Sequence, residues 1–118
     1  MVRAFLLLIL SLTLSACGMS AEPTWAPDDK IAAARYVHDG PTSLTLFTVI
    51  NNRSQEGAHA GLMINGSERI LFDPAGTWRH PAVPERNDVH YGITEKIKAF
   101  YIDYHARETF RVVEQTVV

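Results

Sequence analysis

The chain has 118 residues, with 11 basic and 13 acidic side chains, five histidines and a formal charge of −2. That balance excludes the basic footprint of a nucleic-acid binder and the polybasic cluster that holds proteins on anionic lipid, so no nucleic-acid partner is expected. One cysteine, Cys17, excludes an intrachain disulfide.

Residues 1–16 read as a targeting segment. Arg3 supplies a positive start, and AFLLLILSLTL, residues 4–14, is an apolar run well short of the roughly 20 residues a spanning helix needs. The four residues Leu14-Ser15-Ala16-Cys17, with Gly18 after them, resemble the lipobox of bacterial lipoproteins. That resemblance implies a diacylglyceryl group on the Cys17 sulfur, cleavage before Cys17 and acylation of the new amino terminus. An ordinary signal peptide cleaved near Ala16 or Ala21 is the alternative. Two or three acyl chains make a stable anchor where one holds only marginally. The resemblance therefore implies the lipid bilayer as partner, and the absence of Asp at position 18 favours the outer membrane, facing the periplasm. A lipidated Cys17 leaves no thiol for chemistry. Loss of Arg3 with the signal leaves 10 basic against 13 acidic residues.

Residues 17–30 contain two prolines, small residues and acids without an apolar period, and are expected to form a lipidated tether. Trp25 suits either a bilayer interface or a dock on the domain. A small domain is expected over residues 31–118. Its first two apolar runs, residues 31–38 and 44–50, flank the turn signal Asp39-Gly40-Pro41 and predict a hairpin, although the alanines of IAAARYV also suit a helical turn. Asn51 to Glu56 is a polar connection.

The stretch from Gly57 to Gly76 is the centre of the domain. Two apolar runs flank Asn65-Gly66, a strong hairpin signal. A three-residue loop, Asn65 to Ser67, would pair Leu62 with Ile70, Ala60 with Phe72 and His59 with Asp73. One face is then apolar and the other displays His59, Gly61, Arg69 and Asp73. Pro74 cannot donate to the ladder and ends the strand. A carboxylate beside an imidazole fixes its tautomer and raises its basicity, as a general base requires. The plainer alternative is a half-buried strand histidine and an Asp-Pro turn.

Thr77 to Tyr91 has two prolines and no period, and predicts a long surface loop able to cover the His59 face. His80 and His90 are possible metal partners for His59, but their spacing is not that of a zinc site, so no metal and no cofactor is expected. Thr94 to His105 predicts a helix capped by Thr94, with Ile93, Ile97, Phe100, Tyr101 and Tyr104 on one apolar stripe that covers the sheet. Tyr101 and Tyr104 read as core. Glu95 with Lys98 and Asp103 with Arg107 read as surface pairs. Residues 109–118 predict a strand running to the last residue, a feature expected of a shortened relative of a longer protein. The fold expected is α+β: a small antiparallel sheet of about five strands covered by one amphipathic helix.

Gly57-Ala58-His59-Ala60-Gly61-Leu62, followed by a strand ending at Asp73, resembles the histidine strand of the permuted NlpC/P60 and papain-like superfamily, over roughly residues 43–76. The resemblance implies a cysteine hydrolase in which His59 is the base and Asp73 its orienting residue, with the nucleophile on a later helix. This chain has no cysteine after His59, and Ser67, in the turn, is its last serine. No catalytic residue is therefore assigned; His59 and Asp73 are vestigial candidates. A non-catalytic envelope lipoprotein binding through the His59 and Asp73 face is expected. The alternative is a truncated hydrolase whose nucleophile lay beyond Val118.

Overall fold

The computed structural model describes residues 24–118; Cys17, the expected lipobox and the expected signal segment lie outside the described residues. The elements are α1 (Asp28–Ala34), β1 (Ser43–Asn51), β2 (Gly57–Asn65), β3 (Arg69–Phe72), β4 (Glu85–Arg86), β5 (Val89–Tyr91), α2 (Glu95–His105) and β6 (Phe110–Val117). The fold is α+β, with one six-stranded antiparallel sheet in the order β4-β5-β3-β2-β1-β6.

Pro27 followed by Asp28 and Asp29 is a helix start, with acids at the positive end of the dipole, and the alanines continue it. The expected hairpin between residues 31–38 and 44–50 therefore does not form, because the first half of the first run belongs to α1 and the rest is not a strand. Part of the expected tether is docked as well. Trp25 bridges to Arg86, whose guanidinium lies over the indole, and Arg86 also binds Asp28.

The central hairpin forms, shifted by two residues from the expected register. Leu62 faces Phe72, Met63 faces Leu71 and Asn65 faces Arg69, leaving Gly66 to Glu68 as the loop. Asn65 is buried and its amide donates to the Pro41 carbonyl at 2.8 Å, so it serves the strand end rather than the turn. An even shift keeps each side chain on its expected face. It alters the cross-strand partners instead: the β2–β3 ladder runs from Leu62–Phe72 to Asn65–Arg69, so no ladder pair joins His59 to Asp73.

The two faces exchange their expected roles. The face bearing His59, Gly61, Arg69 and Asp73 is the inner one, covered by α2. Phe47, Met63, Leu71, Trp78, Val83, Ile93, Ile97 and Tyr101 form its core. The apolar set Leu44, Leu46, Leu62, Ile64, Ile70 and Phe72 lies on the other face, where Leu46 and Phe72 are about 40% exposed. Thr94 caps α2 by accepting from the Ile97 amide at 3.2 Å, as expected. Phe100, placed on the stripe from its spacing, is exposed instead. Glu95 binds buried Arg69 at 2.5 Å, and Lys98 reaches Glu114 of β6 at 2.6 Å, so the expected Glu95 and Lys98 pair is replaced by two long-range pairs.

The expected long loop is broken by the β4–β5 hairpin. Its turn residues Asn87 and Asp88 have φ of 43° and 70°, both left-handed, which is the two-residue hairpin geometry that Asn and Asp tolerate best. Asp88 accepts from the Asp73 amide at 2.8 Å and so ties this hairpin to the end of β3.

Candidate functional site

A β-bulge sits where β2 begins. Val49 pairs with His59 and Ile50 with Gly57, so Ala58 has no partner. Bulges turn a strand and re-aim its side chains, and here the bulged residue directly precedes His59. Across the sheet, β3 ends at Phe72 and the chain turns at Asp73-Pro74-Ala75-Gly76, closed by the Gly76 amide donating to the Asp73 carbonyl at 3.2 Å. Ala75 takes φ of 56° at the third position of this turn. The turn folds the Asp73 carboxylate back under the sheet, where it is fully buried.

The two expected residues meet: His59 Nε2 lies 2.5 Å from Asp73 Oδ1. A third group completes the contact. The Tyr101 hydroxyl donates to the same oxygen at 2.9 Å, and burial, reinforced by the Asp73 charge, pushes its pKa well above the ordinary phenol value. Tyr101 therefore remains a donor. It is core, as its helical spacing implied, and it also holds the carboxylate.

Two glycines make room for the cluster. A Cβ on Gly61 would stand 2.2 Å from the Tyr101 hydroxyl oxygen, and one on Gly76 would stand 1.8 Å from Asp73 Oδ2. Either contact is far inside van der Waals distance, so the sequence must leave both positions without a side chain.

His105, the last residue of α2, is not among the site residues expected from the sequence. Its ring stacks on His59 with centroids 5.2 Å apart and planes within 6°. Its Nδ1 lies 2.9 Å from the Tyr101 carbonyl, to which it donates, leaving Nε2 with the lone pair. Burial is the main cause lowering its pKa, partly offset by the Tyr101 carbonyl and Asp73. The available signal was positional: His105 follows Tyr101 by four residues and shares its face of the helix.

A cavity of about 400 Å³ opens beside these rings. Val49, Ala58 and Phe110 give it apolar walls, and Thr77, Arg107 and Glu108 supply polar groups. His59 Nε2 is engaged by Asp73, whereas Nδ1 has no partner among the described residues. The arrangement presents one imidazole nitrogen, oriented by a buried carboxylate, to a pocket of small-molecule size.

His80 and His90 do not join His59. The His80 ring stacks on Phe100 at 5.3 Å, and His90 is buried against Trp78 at 5.2 Å. Among the described residues, the group that could hold a metal is instead His59, Asp73 and His105, each with a ligand atom within 4.8 Å of the others. Comparison with protein-family models, with curated proteins and with solved structures returned no match.

Proposed function

We propose that this protein is a lipoprotein of the bacterial cell envelope, held to the bilayer through acylated Cys17, that binds a ligand in the His59 cavity without catalysis. The anchoring half of the reading is supported by the lipobox-like residues 14–17 after a short apolar run. No helix among the described residues is long and apolar enough to cross a membrane. The binding half is carried by one observation: His59 is fixed by a fully buried carboxylate at the wall of a cavity of about 400 Å³. Catalysis by a thiolate is left out because no cysteine follows Cys17. The site belongs on the periplasmic side of the outer membrane.

Metabolic labelling with palmitate tests the anchor. Label should appear in the wild type and vanish in Cys17→Ser; label that persists would refute acylation at this residue. Filling the cavity by Ala58→Trp tests binding. A small molecule carried through purification by the wild type should be absent from the variant, and equal retention by both would contradict the reading.

One observation favours a second reading. Engagement of Nε2 with Nδ1 left open is the orientation a histidine base needs beside a nucleophile, in keeping with the likeness of residues 43–76 to the permuted NlpC/P60 superfamily. In that reading the chain is the base-bearing part of a cysteine hydrolase whose nucleophile is encoded beyond Val118. A reading frame extending past Val118 into a cysteine at a helix start would support it, and stop codons or a cysteine-free extension would end it.

A further inference from the structure

We propose that His59, Asp73 and His105 form a binding site for one divalent transition-metal ion, with Zn²⁺ the best match to the donors. The inference shares His59 and Asp73 with the ligand-binding reading but does not rest on it, and the test below uses the ion alone.

Three features support it. The three side chains come from different elements, yet each brings a ligand atom within 4.8 Å of the other two. Two imidazoles and one carboxylate are the donor set of zinc sites that keep a fourth position open, and here both histidines line the cavity where that position would lie.

The groups behind the ligands are those a metal site uses. His105 Nδ1 donates to the Tyr101 carbonyl, so its Nε2 is the unprotonated ligand atom, and the Tyr101 hydroxyl holds Asp73 Oδ1. Hydrogen bonds of this kind fix the tautomer and orient the carboxylate.

Asp73 supplies the independent indication. Its second oxygen, Oδ2, is buried with no hydrogen-bond partner among the described residues, on an aspartate that is completely buried. Buried carboxylate oxygens are almost always satisfied by hydrogen bonds or metal ions. An ion bound between this carboxylate and the two imidazoles neutralises the buried charge that Oδ2 shares.

Binding requires a small rearrangement. Ligand atoms around a tetrahedral zinc with bonds of about 2.0–2.1 Å stand roughly 3.3 Å apart, whereas His59 Nε2 and Asp73 Oδ1 are 2.5 Å apart. Rotation of the partly exposed His59 ring separates them, and the Nε2 proton is transferred to Nδ1 as Nε2 takes the ion. The formal charges of Arg107 and Glu108 on the cavity wall offset each other, and Arg107 is held over the Tyr104 ring at 4.1 Å.

The test is Zn²⁺ titration by calorimetry on the full chain carrying Cys17→Ser, which removes the one competing thiol, with Mg²⁺ as control. One equivalent of Zn²⁺ should bind and Mg²⁺ should not. Affinity should fall on the order of 100-fold or more in His59→Ala and in His105→Ala, and stay unchanged in His80→Ala. Absence of Zn²⁺ binding, or binding that survives His105→Ala, overturns the proposal. If circular dichroism shows a variant unfolded, ring NMR of the Cys17→Ser chain decides. Zn²⁺ should shift the His59 and His105 resonances together, and shifts confined to His38, His80 or His90 overturn the proposal.

Discussion

Gly76 lies so close to Asp73 that a side chain at 76 would occupy the position of the carboxylate itself, 1.8 Å from Oδ2. The glycine is there for the aspartate's sake. Gly76→Ala must displace the carboxylate or the turn, and overpacking of this kind costs about 1–3 kcal/mol. Chemical denaturation should show that loss, with a change in the His59 ring signals. An equally stable Gly76→Ala protein with unchanged His59 signals would mean the carboxylate does not fold back under the sheet.

Tyr101 performs two tasks that one substitution separates. Tyr101→Phe keeps the ring against Phe47 and Trp78 but removes the donor to a buried carboxylate, at a cost of about 1–3 kcal/mol. Tyr101→Ala also empties the core and should cost more, about 3–5 kcal/mol. Equal effects in denaturant titrations would show that the hydroxyl contributes nothing.

The pairing register predicts opposite sensitivities for two adjacent residues. Leu71 is inside the core, so Leu71→Ala should cost about 2–5 kcal/mol. Phe72 points to the other face, where it is 40% exposed, and Phe72→Ala should cost clearly less despite the larger side chain removed. The reverse order of unfolding midpoints would place the core on the wrong side of the sheet.

His90 sets an acid limit on stability. Burial lowers its pKa below the ordinary 6.5, outweighing the raising influence of Glu85 and Asp73. A lowered folded value means the unfolded chain binds the proton first, so stability decreases as pH falls below about 6.5 and continues to fall until the folded-state value is passed. His105 is shifted the same way and adds to the slope. With metal removed by chelator, thermal midpoints should drop between pH 7 and pH 5, and His90→Phe should flatten that dependence. An identical pH profile in His90→Phe would contradict it.

What the sequence discloses follows the range of the physics involved. The central hairpin, the Thr94 cap and the α2 stripe through Ile97 and Tyr101 rest on signals within a few residues, and each forms. The meeting of His59 with Asp73 was also legible, though for a different reason from the one supposed: the bulge at Ala58 and the turn at Ala75 bring them together, not direct cross-strand pairing. The register was missed because Asn65 is claimed by the Pro41 carbonyl, 24 residues away in sequence. The inner face was misassigned because Arg69 and Asp73 look like surface residues until Glu95, His59 and Tyr101 satisfy them. Local signals for α1 and the β4–β5 turn were present in Pro27-Asp28-Asp29 and Asn87-Asp88, and were outweighed by the reading of those segments as tether and loop. His105 shares the helix face of Tyr101, and the packing of that face against the start of β2 brings its ring onto His59.

The state of the His59 ring tests the account most directly. In a long-range ¹H–¹⁵N spectrum of the metal-free protein at alkaline pH, the ring should be locked as the Nε2–H tautomer, with Nδ1 bare. That preference should collapse in Asp73→Asn. A His59 ring that carries its proton on Nδ1, or averages between tautomers in the wild type, would contradict the pairing on which the site is built.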